Sequence, residues 1–283
     1  MSLIHAQATP ATLVWAERLV VLLWIGKTGW TAWSDLAELP FVLYEPVSFH
    51  RWIPAEWLGV LLRADVLAAM RASAIVLLLL ALWSPLRALG FLGAGCVLMH
   101  HQALLYGFGF VNHQEIVLLY ALFVFGLFAL AGARWRERAP GAPLVVILAL
   151  LAFSYVLSGV YRVLLHPEVL VDTGAMMGWI LLNSYRPLYY GWEIGPTLPW
   201  GPTLAVLAQT GLVIVTVLEI LAPVALWSRG FRWLFVAVMM VPFHLSCLLL
   251  MNIFFWENGA LMLLFWETAR RAPPGSAADP RAG

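Results

Sequence analysis

Eight long apolar stretches follow one another along this chain and constrain its fold more than any other feature. They cover residues 13–33, 66–84, 86–106, 115–133, 144–165, 203–227, 231–251 and 253–268. A helix of about 20 apolar residues crosses the hydrocarbon core of a bilayer and satisfies its own backbone hydrogen bonds there. The sequence therefore predicts an all-α, polytopic membrane helix bundle with about eight transmembrane helices, of which the last is the shortest.

The composition supports this fold class and excludes others. Of the 283 residues, 63% are hydrophobic and only 11% are charged, whereas about a quarter of the residues are charged in an average soluble domain. The formal net charge of +1 disfavours a nucleic acid partner, because such binding needs a clear excess of basic residues. Cys96 and Cys247 lie far apart in apolar stretches, so no metal site is predicted. The expected partner is the lipid bilayer.

Basic residues divide the connections between the apolar stretches into two alternating sets. One set holds Arg87, Arg134, Arg136, Arg138, Arg229, Arg232, Arg270, Arg271 and Arg281. The opposite set is mainly acidic. Because cytoplasmic loops are enriched in Lys and Arg, the basic set predicts the cytoplasmic side, with both termini inside and the chain in the cell (inner) membrane. A single domain is expected over 1–268, with a disordered cytoplasmic tail over 269–283.

The long connections 34–65 and 166–202 fall on the acidic, outer side of this topology and are apolar enough to lie in the membrane interface. Within the first, residues 47–63 mix Trp, Leu and Ile with charged side chains. This mixture is typical of an amphipathic helix at a membrane surface. We therefore expect interfacial helical segments on the outer side.

Ionisable side chains inside membrane helices are costly, so each is a candidate for function. The predicted topology places most of them in the outer half of their helices or at the outer rim: Lys27, Arg71, His100, His101, His113, Arg162, His166 and His244. Glu219 alone falls clearly in the inner half. A shared polar cavity open to the outside would gather such residues on one side, and we favour that interpretation over independent snorkelling.

Structural explanations compete with function at several of these positions. Lys27 and Arg71 could snorkel to the headgroups. Arg162 could cap its helix or pair with Glu168. Glu219 could pair with one of the arginines that follow it. The sequence alone leaves these alternatives open.

The histidines differ from one another in their local sequence. His100 and His101 are adjacent and point about 100° apart on a helix, so both cannot face one ligand. His113 follows Asn112, a candidate helix N-cap. His244 follows Pro242 well inside an apolar stretch, where a kink frees carbonyl groups and makes room for a ligand. Function is favoured for His244.

The order of these residues resembles that of a known family. The stretch 243–255 begins Phe243-His244 and continues through apolar and small residues to an aromatic-rich turn. It resembles the signature of the horizontally transferred transmembrane domain family, to which the vitamin K-dependent γ-carboxylases belong. Asn112-His113, the element Ser158-Gly159-Val160 and Glu219 follow the family order, and the resemblance covers roughly 95–268.

The resemblance implies a helical membrane domain whose site opens to the non-cytoplasmic side. The ligand implied is a reduced quinone, such as a vitamin K-like hydroquinone, or another apolar substrate that arrives from the lipid. His113 and His244 would face the quinol and act in proton transfer or oxyanion stabilisation, with Arg162 as the third catalytic candidate. The substrate-binding candidates are Tyr161, Asn112, Asn252, Lys27 and Arg71.

One departure from the family pattern limits the chemistry. Tyr161-Arg162 stands where the family carboxylases carry two lysines. Arginine stays protonated in proteins and makes a poor base, so this chain is not expected to carboxylate glutamate. Two other classes remain open. One is a b-type cytochrome subunit that ligates haem through His100 or His101 and His244, and the other is a non-catalytic transporter or scaffold in which the buried charges pair with one another.

Overall fold

The computed structural model describes residues 8–31, 33–109, 115–184, 194–251 and 256–270. All regular structure among these residues is helical, as the sequence predicts. The chain divides into two compact units, an N-terminal unit over Thr9–Pro143 and a C-terminal unit from Leu144 onward. We describe each unit by itself.

The N-terminal unit contains three long helices and several short ones. Its α-helices are α1 (Pro10–Trp30), α2 (Ala55–Leu61), α3 (Ala64–Ala81), α4 (Arg87–Gly107), α5 (Ile116–Leu130) and α6 (Ala133–Arg138). Short 3₁₀ helices at Trp33–Glu38, Phe41–Leu43, Ser48–Trp52 and Ser84–Leu86 fill the connections. Thr9 and Thr12 form a reciprocal capping box at the start of α1, which satisfies backbone N–H groups that the first turn leaves unpaired.

The C-terminal unit is built around one long helix that begins at the boundary between the units. Its α-helices are α7 (Ala142–Leu165), α8 (Glu168–Val171), α9 (Thr173–Ser184), α10 (Ile194–Thr197), α11 (Pro202–Ile220), α12 (Arg229–Val238), α13 (His244–Met251) and α14 (Trp256–Arg270). A 3₁₀ helix follows α11 at Ala222–Leu226. A π-helical turn, Met239–Phe243, joins α12 to α13.

Four helices of the described residues are long and apolar enough to cross a membrane: α3, α4, α7 and α11. Apolar helices also occur at Ile116–Leu130 and Thr173–Leu182, but they are shorter. α1 has the length of a span, yet it carries Glu17, Arg18 and Lys27. These helices support a membrane protein, while the count of eight spans and their orientation stay predictions.

Helices α3 and α4 approach each other closely because α4 carries a glycine at the contact. A Cβ atom added to Gly90 would lie 2.2 Å from the backbone nitrogen of Ala81. A side chain of any size would therefore push the two helices apart. Small residues at such contacts are typical of helices that pack within a membrane.

The expected single amphipathic helix over 47–63 is wrong in one respect. The structure has a 3₁₀ helix at Ser48–Trp52 and a separate α2, with a break at Ile53 and Pro54. Proline disfavours helical backbone in the residue before it, and Ile53 is extended, with ψ at 128°. Pro54 then serves as the N-cap residue of α2.

The break expected at Pro242 takes the form of the π-helical turn. Proline lacks a backbone N–H, and its ring clashes with the carbonyl group four residues earlier in an α-helix. Pro242 lies inside Met239–Phe243, where the wider turn relieves that clash. α13 then begins directly at His244.

Candidate functional site

The candidate site lies in the C-terminal unit, where a buried phenol meets a buried imidazole. The hydroxyl oxygen of Tyr155 is 2.9 Å from Nε2 of His244. Tyr155 is 4% exposed and His244 is 3% exposed, so the hydrogen bond is shielded from solvent. Tyr155 also packs edge-on against the ring of Phe235, which fixes the plane of the phenol. The pair can share or pass a proton without contact with bulk water.

Beside this pair lies a buried ion pair. Nη1 of Arg162 is 2.5 Å from Oε2 of Glu219 and 2.7 Å from the Thr216 hydroxyl oxygen. The Arg162 guanidinium also lies over the Trp179 ring, 5.9 Å from its centroid. A buried guanidinium is costly unless it is paired and hydrogen-bonded, and these contacts provide that compensation.

The Tyr155–His244 hydrogen bond and the Arg162–Glu219 ion pair form one cluster, because Tyr155 and Arg162 lie on the same face of α7. Tyr155 and Arg162 are seven residues apart, which is close to two full helical turns. We call Tyr155, Arg162, Glu219 and His244 the buried polar cluster.

Gly159 explains how α11 comes so close to α7. A Cβ atom at this position would lie 2.9 Å from Cγ1 of Ile220 and 3.1 Å from Cβ of Glu219. The glycine therefore lets the last turn of α11 pack directly on α7. This contact gives the Ser158-Gly159-Val160 element a physical role, which is to set the distance between Arg162 and Glu219.

The prediction that Arg162 and Glu219 lie in opposite halves of the membrane is wrong. Cβ of Glu219 lies at the level of Gly159, one turn from Arg162 on α7. The sequence predicts a sixth span that runs to residue 227. In the structure α11 ends at Ile220, so Glu219 belongs to its last turn, where it pairs with Arg162.

Two predicted substrate-binding residues have structural partners in the N-terminal unit. Nζ of Lys27 is 2.8 Å from Oε1 of Glu115, and both side chains are largely buried. Nε and Nη2 of Arg71 donate to the carbonyl oxygens of Thr28 and Gly29 at 2.9 and 2.6 Å. Arg71 therefore ties α3 to the last turn of α1.

The adjacent histidines of α4 contact two different parts of the connection between α1 and α2. The His101 ring stacks on Trp33, with 3.8 Å between centroids. His100 faces the other way, and its Nδ1 is 3.2 Å from Nε2 of His50. Both side chains are thus accounted for by contacts in the N-terminal unit.

His50 continues this contact into a chain of three rings. The hydroxyl oxygen of Tyr44 is 2.6 Å from Nδ1 of His50, and His50 is fully buried. Burial, and to a lesser extent the charge of His100, lowers the pKa of His50 to about 4. Burial raises the pKa of Tyr44 to about 12. At neutral pH His50 is therefore uncharged, and its two ring nitrogens are hydrogen-bonded to Tyr44 and His100.

Elsewhere in the N-terminal unit, Arg87 and Arg136, which the sequence predicts on the same side of the membrane, lie close to the same carboxylate. Arg136 forms a two-pronged contact with the carboxylate of Glu17, with Nη2 2.8 Å from Oε2. Nη1 of Arg87 lies 3.8 Å from the same carboxylate. Arg87 and Arg136 also line a common cavity of about 410 Å³. The two arginines therefore meet at one carboxylate, whereas the side of the membrane on which they lie stays a prediction.

Of the remaining candidates, two form an exposed pair and three lie outside the described residues. Tyr161 is exposed, and its hydroxyl oxygen lies 3.3 Å from Nε2 of His166. Asn112, His113 and Asn252 lie outside the described residues. The expected meeting of His113 with Arg162 and His244 therefore stays a prediction. In the part of the chain that is described, no group of three or more His, Cys, Asp or Glu side chains could hold a metal ion.

One contact bears on the haem alternative. Nε2 of His244 is hydrogen-bonded to Tyr155, so axial ligation through this nitrogen would have to break that bond. Haem ligation by His100 or His101 with His244 stays a prediction.

Sequence reasoning missed Tyr155, the partner of His244. A signal for it exists, since Tyr155, Gly159 and Arg162 have the spacing i, i+4, i+7 of a single helix face. It also missed Tyr44 and Glu17, whose partners are distant in sequence and leave no local pattern. The contacts of these residues appear only once the helices are packed.

Comparison with known proteins adds no assignment, because no family model, curated protein or solved structure matches this chain.

Proposed function

We propose that this chain is an integral membrane enzyme of the bacterial cell membrane that accepts a reduced quinone or another apolar, lipid-soluble substrate. The proposed chemistry is proton transfer at His244. The observation that carries the proposal is the buried hydrogen bond between Tyr155 and His244. A pair of this kind is expensive to place among apolar helices, and such groups often mark proton-transfer sites.

The tautomer that we assign to His244 makes it a base. With hydrogen on Nε2, the imidazole donates to the Tyr155 oxygen, and Nδ1 carries the lone pair. A substrate hydroxyl proton would move to Nδ1, and the Tyr155 oxygen would stabilise the imidazolium through the Nε2–H bond. A hydroquinone would supply acidic hydroxyl protons for this step.

Gly259 on α14 fits the same assignment. A Cβ atom at this position would lie 3.2 Å from Nδ1 of His244. Glycine therefore keeps a side chain away from the nitrogen that we assign as the base. Arg162, which Glu219 and Thr216 hold in place, is proposed to stabilise negative charge that develops on the substrate oxygen.

The proposal can be tested with the full-length protein in detergent and a reduced naphthoquinone with a short isoprenoid chain. Binding is followed by thermal stabilisation. Turnover is followed by the absorbance of the oxidised naphthoquinone under air, where dioxygen takes the two electrons and two protons to give hydrogen peroxide, and the rate without protein is subtracted. The wild type should bind and turn over the reduced compound. We expect His244→Gln to abolish turnover and Tyr155→Phe to lower it by about 10²-fold or more, the usual loss when acid–base catalysis is impaired.

His166→Gln is the matched control, because His166 is an exposed histidine of the same unit and should behave as wild type. An absence of both binding and turnover in the wild type, or an unchanged His244→Gln variant, would overturn the proposal.

The second candidate is a non-catalytic bundle, and the ion pairing observed in each unit favours it. Lys27 pairs with Glu115, and Arg162 pairs with Glu219. In that case Tyr155 and His244 would also serve only to join helices. His244→Gln would then lower the unfolding temperature while no quinol-dependent signal exists for it to change.

A further inference from the structure

A cavity of about 330 Å³ in the N-terminal unit shares no lining residue with the buried polar cluster. The cavity is formed by the 3₁₀ helix Trp33–Glu38 and by α3. Its lining residues are Trp33, Ser34, Ala68, Arg71, Ala72 and Ile75. The volume falls at the lower end of the range for small-molecule sites, which is about 300–1,000 Å³.

The lining divides into an apolar side and a polar end. Ala68, Ala72 and Ile75 have the spacing i, i+4, i+7 and therefore form a stripe on one face of α3. Arg71 and Ser34 supply the polar groups. A ligand that fits this lining has an apolar chain and an anionic head.

Arg71 is fixed in place and carries an uncompensated charge. Nε and Nη2 are held by the carbonyl oxygens of Thr28 and Gly29. Within the described residues, no hydrogen bond is found to Nη1 and no carboxylate forms an ion pair with the guanidinium. Lys27, Arg136 and Arg162, in contrast, each pair with a glutamate. A positioned guanidinium without a carboxylate partner is suited to bind a phosphate or carboxylate group.

Trp33 gives the cavity a rigid wall. Its indole stacks on His101, and its Nε1–H donates to the Thr31 hydroxyl oxygen at 3.1 Å. The side chain is 1% exposed, so these contacts leave it little freedom to close the cavity. A ligand would therefore meet a preformed surface.

In the predicted topology the cavity lies toward the outer end of α3. α1 ends at Trp30, and Arg71 contacts the last turn of α1 while α3 continues for ten residues to Ala81. At such a helix end the phosphate of a membrane lipid is an abundant anion. Basic pockets between membrane helices are known to bind anionic lipid headgroups.

We propose that this cavity binds an anionic phospholipid. The phosphate diester accepts hydrogen bonds from Nη1 of Arg71 and from the Ser34 hydroxyl, and the upper part of one acyl chain lies along Ala72 and Ile75. The proposal is independent of the proposed enzymatic function, because no member of the buried polar cluster takes part in it.

The test is native mass spectrometry of the full-length protein in detergent, titrated with dioleoyl phosphatidylglycerol or dioleoyl phosphatidylcholine. The wild type should retain phosphatidylglycerol at least about tenfold more tightly than phosphatidylcholine, because the choline ammonium of phosphatidylcholine offsets the phosphate charge that Arg71 contacts. Arg71→Gln should remove this preference. Arg51→Gln is the control, because Arg51 is an exposed arginine of the same unit that does not line the cavity.

A second pair of variants leaves Arg71 intact, so that the test does not depend on the stability of one variant. Ala72→Trp should fill the cavity and weaken phosphatidylglycerol binding about tenfold or more. Ala69→Trp adds the same side chain at an exposed position outside the lining and should leave binding unchanged.

Three results would overturn the proposal. The first is equal loss of binding in Ala69→Trp and Ala72→Trp, and the second is unchanged lipid preference in Arg71→Gln. The third is full displacement of phosphatidylglycerol by millimolar inorganic phosphate, because the site would then recognise a soluble anion rather than a lipid.

Discussion

Nη1 of Arg162 lies 2.5 Å from Oε2 of Glu219, and both residues belong to the last two turns of their helices. The two charges stabilise each other in a region where neither could remain alone without a large desolvation cost. Removal of one partner therefore does more harm than removal of both.

The first prediction concerns this ion pair. Glu219→Gln and Arg162→Met should each lower the free energy of unfolding by about 3–5 kcal/mol, because each leaves a buried group without its partner. The double variant Arg162→Met/Glu219→Leu should recover most of that loss. Unfolding in a denaturing-detergent titration measures all three variants, and additive losses in the double variant would contradict the prediction.

The second prediction concerns the pH dependence of the N-terminal unit. The pKa of His50 is about 4 in the folded state, against 6.5 for an unperturbed histidine. Between these values the unfolded chain binds more protons, so stability rises with pH through this window. The contribution is fully present above pH 6.5 and is lost as the pH falls toward 4, with an upper limit of about 3 kcal/mol.

His50→Phe keeps a ring at this position but cannot titrate, so the difference in unfolding temperature between wild type and variant should shrink as the pH is lowered from 7 to 4. Histidine NMR measures the pKa directly. A His50 imidazole that titrates near 6.5 would show that burial does not keep it neutral.

The third prediction concerns the contact between α3 and α4. Gly90→Ala should destabilise the N-terminal unit by about 3 kcal/mol, at the upper end of the cost of overpacking, because the new methyl group meets backbone atoms that cannot move aside. Gly26→Ala in α1 is the control, since a Cβ atom there has nothing within 4 Å. It should be neutral or stabilising by up to about 1 kcal/mol. Similar thermal unfolding of the two variants would contradict this account of the contact.

The fourth prediction concerns the hydrogen bond of the candidate site. Tyr155→Phe leaves Nε2 of His244 without its buried partner and should cost about 1–3 kcal/mol of stability. Tyr161→Phe removes an exposed hydroxyl from the same helix and should change stability by less than about 0.5 kcal/mol. The comparison by thermal unfolding separates the buried bond from a general effect of losing a phenol.

The sequence predicts the helices of this protein well, because each apolar stretch reports its own position. Each of the eight predicted stretches overlaps helical residues in the described part of the chain, but the seventh is divided by the π-helical turn. Only four of the described helices are long and apolar enough to cross a membrane. The helix α9 within the connection 166–202 carries twelve residues and is too short for a criterion based on span length. At Pro54 the sequence predicts one helix over 47–63 where the structure has two, because an amphipathic composition does not reveal a break within a segment.

The candidate site was predictable only in part. His244 was singled out because Pro242 precedes it, and Arg162 because an arginine is costly in an apolar helix. Their partners Tyr155 and Glu219 lie 89 and 57 residues away from them, and no local pattern specifies such pairing. The depth of Glu219 was the hardest feature to predict, because it depends on where the helix ends. α11 ends at Ile220, seven residues before the predicted span does.

The π-helical turn at Met239–Phe243 has a consequence for how His244 acquires its direction. Such a turn is equivalent to one extra residue in an α-helix, and one residue corresponds to a rotation of about 100°. Excision of a single amino acid from this turn would leave the chemical identity of every side chain in α13 unchanged. It would nevertheless rotate the imidazole of His244 away from Tyr155 and break their hydrogen bond.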